Sequence, residues 1–245
     1  MGDPYDPHRY WESRLAANFN LRGVGHASFS ESYNRWIYRA ARRCVESVFS
    51  NEDLSGCEVL DVGCGTGFFT EWYLSRGARV TGIDITRTSV ERLSQRHPQA
   101  AFLRCDIGEP GIGSLGSFDV IHFWGVAYHI VEDDRWSIAL ENASRFCKPA
   151  GRLVVTDFLG ADRDRSTAKH VKQRGLRTYR DELARHGFEL ETARPLHTVL
   201  NRWYRPLRRL NHHAGPLLYF LDRFPRRLSR TNLSLGVWRL TRVRR

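Results

Sequence analysis

The chain has 245 residues and a formal net charge of +11 at pH 7. It is long enough to bury one core, or one core with a cap. No stretch approaches the apolar length of a transmembrane helix, and the opening MGDPYDPHRYWESR lacks a signal peptide's apolar run. Five scattered cysteines (Cys44, Cys57, Cys64, Cys105 and Cys147) form no C-x-x-C pair. That argues against a disulfide framework or a zinc site and fits a reducing cytoplasm.

The charge is lopsided. Residues 1–159 hold 17 Lys+Arg against 20 Asp+Glu, whereas residues 160–245 hold 21 against 7. A basic final third admits several partners: a phosphorylated or carboxylated substrate, RNA, a lipid surface, or water alone over a solvated face.

In chain order, Tyr10 to Asn18 reads as a short helix and Gly23–His26 as a loop. Ser28 and Glu31 form a capping-box pattern for a helix running to about Phe49. In it Tyr33, Trp36, Ile37, Ala40, Ala41, Cys44, Val45 and Val48 recur at helical spacing. Next comes the central stretch of the chain, Val59–Thr70, which reads VLDVGCGTGFFT. Cys57 to Val62 reads as a buried strand, Gly63, Gly65 and Gly67 as a tight turn, and Thr66 to Arg76 as a helix. The helix N-terminus would face a ligand lying on the turn. The spacing departs from the dinucleotide fingerprint, because Phe68 stands where G-x-G-x-x-G requires glycine.

D-x-G-x-G-x-G, from Asp61 to Gly67, resembles motif I of the class I S-adenosylmethionine methyltransferases. The resemblance is clear over about residues 57–158. It implies S-adenosylmethionine as cofactor, S-adenosylhomocysteine as product and no metal. An acidic residue at the turn suits a ligand with an α-amino group and a sulfonium. Arg79 to Ile83 reads as the second strand, and Asp84 at its end stands where ribose-binding acids occur. Ile85 can cover one face of the adenine. After the third strand, Ala100 to Arg104, the resemblance assigns Asp106 to the adenine amino group and the Ile107 N–H to a ring nitrogen. Phe118 to Phe123 resembles motif IV, and Phe123 completes the cofactor set. Trp124, Tyr128 and His129 lie at the expected mouth.

CKPAGRLVVTDF (Cys147–Phe158) resembles the family's turn into the fifth strand, with Ala150 replacing a glycine. Polar residues 160–177 read as a loop. Thr178 reads as the cap of a short helix stopped by Gly187. Phe188–Val199 and Asn232–Val243 would be the last two strands. The expected fold is therefore α/β: a doubly wound, seven-stranded, mostly parallel sheet with strand 7 antiparallel. It divides into an N-terminal helical cap, 1–49, and a cofactor-binding domain, 50–245, with a basic amphipathic insert at 200–231. By the resemblance the cap supplies lid residues Tyr10, Trp11, His26 and Tyr33. The insert could cover the site, pack on the cap or touch a membrane surface.

Methyl transfer from a sulfonium needs alignment and water exclusion. An oxygen acceptor also loses a proton. His129 is the expected base and Asp157 the carboxylate orienting it. The leading expectation is O-methylation in the cytoplasm of a small secondary metabolite bearing an acidic group. Alternatives are a lipid or quinone methyltransferase at a membrane, and an RNA methyltransferase or non-catalytic S-adenosylmethionine-binding protein. The N/D-P-P-Y/F motif of amide and base N-methyltransferases is missing, since HFWG stands there. Nucleic acid is therefore the least expected partner.

Overall fold

A computed structural model describes residues 5–26, 28–200, 213–223, 228, 230 and 232–241. Seven strands form one sheet in the order β3-β2-β1-β4-β5-β9-β8. They are β1 (Glu58–Val62), β2 (Arg79–Asp84), β3 (Ala101–Arg104), β4 (Phe118–Phe123), β5 (Cys147–Asp157), β8 (Phe188–Pro195) and β9 (Ser234–Leu240). The first five run parallel. The last strand, β9, lies antiparallel between β5 and β8. Parallel strands buried on both faces need apolar residues throughout, and all but the first residue of β1 is buried, as is most of β4.

Helices cover both faces. On one, α6 (Asp133–Phe146) and α7 (Leu176–Arg185) set Trp136, Leu140, Phe146 and Tyr179 against Leu60, Ile121 and Leu153. On the other, α3 (Glu31–Val48) and α4 (Phe68–Leu74) set Ala41, Val45, Phe69 and Tyr73 against Val59, Val120 and Val154. Of the apolar stripe read from the sequence, Tyr33, Ile37, Ala40, Ala41 and Val45 are buried with Asn34 and Tyr38, while Trp36, Cys44 and Val48 are half-buried at its edges. The cap of α3 is Ser30, whose hydroxyl accepts from the Tyr33 N–H, and not Ser28. Both serines precede acceptable helix starts; the one adjacent to Glu31 can reach the third helical N–H.

Three further segments differ from the sequence expectation. Within the expected loop Gly23–His26, residues Leu21–Val24 form one helical turn, α2, capped by Asn20. The expected loop 160–177 contains a hairpin of β6 (Arg165–Ala168) and β7 (Val171–Gln173). Thr178 lies inside α7, which starts after Gly175; its hydroxyl donates to Asp164. In the hairpin, polar alternation hid the strands, because neither face of a two-stranded ribbon over a cavity needs a core stripe.

The N-terminal helix α1 (Pro7–Ala17) runs beside α5 (Arg87–Arg96). The Glu12 carboxylate accepts from the N–H groups of Arg87 and Thr88 and from the Thr88 hydroxyl. It thus caps a helix 75 residues away. Of the basic insert, 201–212 lie outside the described residues, with Trp203, Tyr204, Leu207, Leu210 and His212 among them. Its described part forms α8 (Gly215–Leu221), which packs on α3. Among the described residues no helix is long and apolar enough to cross a membrane.

Candidate active site

The carboxyl ends of β1, β2 and β4 open onto a cavity of about 600 Å³. Where a parallel sheet reverses its winding order, the strand ends leave such a crevice. Its floor is the glycine turn. Gly63 has φ +68°, and a Cβ there would stand 2.3 Å from Val126. Gly65 has φ +52°, and a Cβ would meet Val24 of α2 at 2.9 Å. Only glycine gives a backbone that both bends this way and lets two loops close over it. Gly67 is a different case. It does not line the cavity; a Cβ there would strike Leu93 of α5 at 2.7 Å. It permits helix packing against α5.

Two carboxylates line the cavity at the turn. Asp61 is 2 % exposed and accepts from the Thr70 hydroxyl at 2.6 Å. Burial pushes its carboxyl up to about 6. Asp84 accepts from the Gly65 N–H at 2.9 Å through one oxygen and from the Thr86 N–H and hydroxyl through the other. Burial raises it too, against those bonds. The Asp84 oxygen that faces Gly65 keeps a further lone pair. Two desolvated acids beside one turn favour a ligand that brings positive charge and hydroxyl donors. An S-adenosylmethionine carries both, so the residues present fit that group.

Ile85, Ile107 and Asp106 also line the cavity. Asp106 is already engaged: Gly108 donates to one oxygen, and Arg135, at 2.6 Å, and His8, at 3.2 Å, pair with the other. Phe123 is fully buried in the core and does not reach the cavity. Its side chain sits among the core residues at the end of β4. Tyr33 is likewise buried, against Phe29, and donates to the Leu200 carbonyl, outside the cavity.

Tyr10, Trp11, His26, Trp124, Tyr128 and His129 do converge there. Trp11 stands edge-on to His129 at 4.8 Å, and Tyr128 lies 4.4 Å from it. The β6–β7 turn adds His170, whose ring stacks on His129 at 5.6 Å and on Tyr10 at 5.1 Å. The His129 Nδ1 lies 2.6 Å from the His170 carbonyl oxygen. A carbonyl only accepts, so Nδ1 carries the proton and Nε2 holds the lone pair. Burial pushes His129 down to about 3, so the ring is neutral.

The expected His129–Asp157 pair is not formed. Asp157 is fully buried at the end of β5 and accepts from the Tyr179 hydroxyl at 2.6 Å and the Phe158 N–H. Burial raises it to about 7. The strand end pulls its side chain toward α7, and the hairpin carbonyl takes the position the carboxylate was expected to fill.

Three cavity residues, Arg14, Asn34 and His197, and one beside the cavity, Arg174, were missed from the sequence. Arg14 of α1 donates to Tyr10 Oη and to the carbonyls of Arg22 and Gly25, and no carboxylate among the described residues pairs with it. Asn34 ties the His26 and Phe29 backbone. His197, buried, lines the far wall with neither ring nitrogen bonded, and burial holds it near 4. Arg174, fully buried, donates to the carbonyls of Ile130 and Val131 and pairs with Asp133, fixing the chain just after His129. A lone Arg or His on a polar helix or loop carries no sequence signal of its own. Among the described residues no group of three or more His, Cys, Asp or Glu is placed to hold a metal ion.

The methyltransferase-domain family matches residues 59–151, the span from β1 through the turn into β5. Over that span the chain is similar to a methyltransferase domain. A ubiquinone biosynthesis O-methyltransferase of Xanthomonas oryzae pv. oryzae is 28% identical over 117 residues, covering 46% of this chain and 47% of that protein. The chain thus spans about half the length of such curated relatives. An S-adenosyl-L-methionine-dependent Diels-Alderase of Neonectria sp. is 28% identical over 179 residues, covering 71% of this chain and 66% of that one. Among solved structures, the magnesium protoporphyrin IX methyltransferase of Synechocystis PCC 6803 with bound SAM superposes with a TM-score of 0.63. It is 16% identical and covers 98% of this chain and 99% of its own. At that identity the likeness shows a shared fold alone.

Proposed function

We propose that this protein transfers a methyl group from S-adenosylmethionine to a small-molecule acceptor, with an oxygen as the methylated atom. One observation carries the reading. The same cavity is lined at one end by Asp61, Gly63, Gly65, Asp84, Ile85 and Ile107, and elsewhere by Tyr10, Trp11, Tyr128 and His129. Cofactor and acceptor chemistry can therefore meet without passing through solvent.

Asp61 and the glycine turn would hold the α-amino group, and Asp84 the ribose hydroxyls. Ile85 and Ile107 would enclose the adenine, with Asp106 at its rim. Arg14 is the cation left to meet a carboxylate, whether the cofactor's or an acidic acceptor's. When bound, the cofactor supplies an activated methyl group and its own leaving group. The protein's residues orient the acceptor and exclude water. His129, its Nδ1–H held by the His170 carbonyl, would accept the acceptor's proton at Nε2. The carbonyl takes the orienting role first given to Asp157. A secondary metabolite fits the aromatic walls, and the ubiquinone-pathway relative favours an oxygen acceptor.

A second reading has one observation in its favour. The Diels-Alderase relative covers more of this chain than the Xanthomonas methyltransferase does. The cavity would then use the bound sulfonium as a fixed charge.

The test is methyl-labelled S-adenosylmethionine incubated with the protein and small-metabolite, lipid, RNA and protein fractions of a host extract. Label in a small-metabolite peak supports the proposal. Label in RNA alone overturns it. Tight binding with no transfer to any fraction favours the second reading.

A further inference from the structure

Helix α8 has two unlike faces. Gly215, Leu218 and Tyr219 turn toward α3: Leu218 joins its buried cluster, and Tyr219 lies 5.3 Å from Trp36. Gly215 fits because a Cβ would strike the Trp36 ring at 2.4 Å. Leu217, Phe220 and Leu221 fall on the opposite side at i, i+3 and i+4 and are 62%, 53% and 38% exposed. They are three of only four large hydrophobic residues so exposed among those described.

The surroundings are basic. Arg223 lies over the Phe220 ring at 5.8 Å. Beside Tyr219, a shallow groove is lined by Arg35, Arg39, Arg42 and Arg43 with Glu46 as the single acid. Arg39 contacts the Trp36 ring and Arg43 the Tyr219 ring, each at 4.5 Å. Residues 200–231 hold eight arginines and one acid, Asp222. Its buried carboxylate accepts from the N–H groups of Thr198, Val199 and Leu200, which anchors the end of α8.

We propose that the outer face of α8, with the arginines of α3 beside it, docks on an anionic lipid surface. Charge complementarity selects the occupant. Arg42 and Arg35 pair with Glu46 and Glu31, but Arg39, over the Trp36 ring, pairs with no carboxylate among the described residues, and an apolar tip beside such a cation suits acyl chains under anionic headgroups. A protein groove would need a matching shape, whereas a bilayer takes any protruding tip. Arg39 has a long stem that can lie along the apolar surface while its charge reaches headgroups, whereas the Arg43 guanidinium is tied to the Asp222 carbonyl. Docked so, α3 stands between lipid and cavity: Trp36 meets α8, and Ile37 and Tyr38 line the cavity wall.

The experiment is flotation of the full chain with vesicles of phosphatidylglycerol and phosphatidylcholine, against phosphatidylcholine alone. Binding to the anionic vesicles should be at least about tenfold tighter and should weaken as salt rises. The double variant Leu217→Ser/Phe220→Ser should lose about tenfold in partitioning. Its melting temperature and far-UV spectrum should match the parent, since both side chains face outward. Arg39→Gln should weaken anionic binding alone. Vesicle binding that ignores the double substitution, or that does not distinguish the lipids, overturns the proposal. So does an RNA that binds more tightly than vesicles and ignores Leu217→Ser/Phe220→Ser, which would make the arginines a nucleic-acid surface.

Discussion

At the scale of residues, the cavity is governed by what burial does to two ionisable side chains. Asp61 sits at about 6 because burial disfavours its charged form. A cationic ligand binds the ionised form, so ligand binding and proton release are linked. Affinity for S-adenosylhomocysteine, through its α-amino group, should therefore be full well above pH 6. It should fall about tenfold per unit below it. Calorimetry at pH 5 and pH 8 checks the slope, and Asp61→Asn should flatten it while weakening binding throughout. His129 sits at about 3, so its ring stays neutral across the same range. Turnover should show no acid limb near 6.5 from this histidine. His129→Ala should lower turnover by about 10²-fold with cofactor affinity little changed. A near-parental rate on the identified acceptor would reduce His129 to a packing partner of Trp11 and His170.

At the scale of elements, the departures from expectation are turns and caps. Ala150 shows this best. It stands where the resembled turn has glycine and takes φ +62°, the one non-glycine residue with positive φ among those described. A Cβ in that region costs roughly 1–2 kcal/mol. Ala150→Gly should stabilise the protein by about 0.5–1 kcal/mol after the added freedom of the unfolded chain is subtracted. The melting temperature should then rise by about 2–4 °C. A fall would mean that the β5 entry depends on the methyl group. The β6–β7 hairpin carries the other lesson. Its strand period was legible only once the hairpin lay over the cavity, where Arg174 and Lys172 both reach Asp133.

At the scale of the whole molecule, α1 is held across the cavity by its far contacts. Burial pushes the Glu12 carboxyl up, but the Thr88 hydroxyl and the N–H groups of Arg87 and Thr88 outweigh it and hold it below the usual range. A depressed carboxyl contributes above its unfolded value and loses that contribution as pH falls through the folded one. The docking of α1 should therefore loosen in acid. Glu12→Ala should bring the same loosening at neutral pH. Proteolysis near the N-terminus should speed up, and ligand affinity should drop because Tyr10, Trp11 and Arg14 leave together. Unchanged proteolysis would place the hold on α1 in its aromatic contacts instead.

The amino-acid sequence by itself determined the sheet, the glycine turn and the acids at the ends of β1 and β2. These depend on local periodicity, on φ > 0 at Gly63 and Gly65, and on strand ends that side-chain type marks directly. Only the tertiary structure decided which neighbours those residues meet. Gly67 turned out to serve Leu93, Phe123 the core, and Tyr33 the Leu200 carbonyl. Asp157 went to Tyr179, and a hairpin carbonyl 41 residues from His129 took its place. Such pairings join residues far apart in the chain. A carboxylate or a ring carries no mark in the sequence of the partner that folding will bring to it.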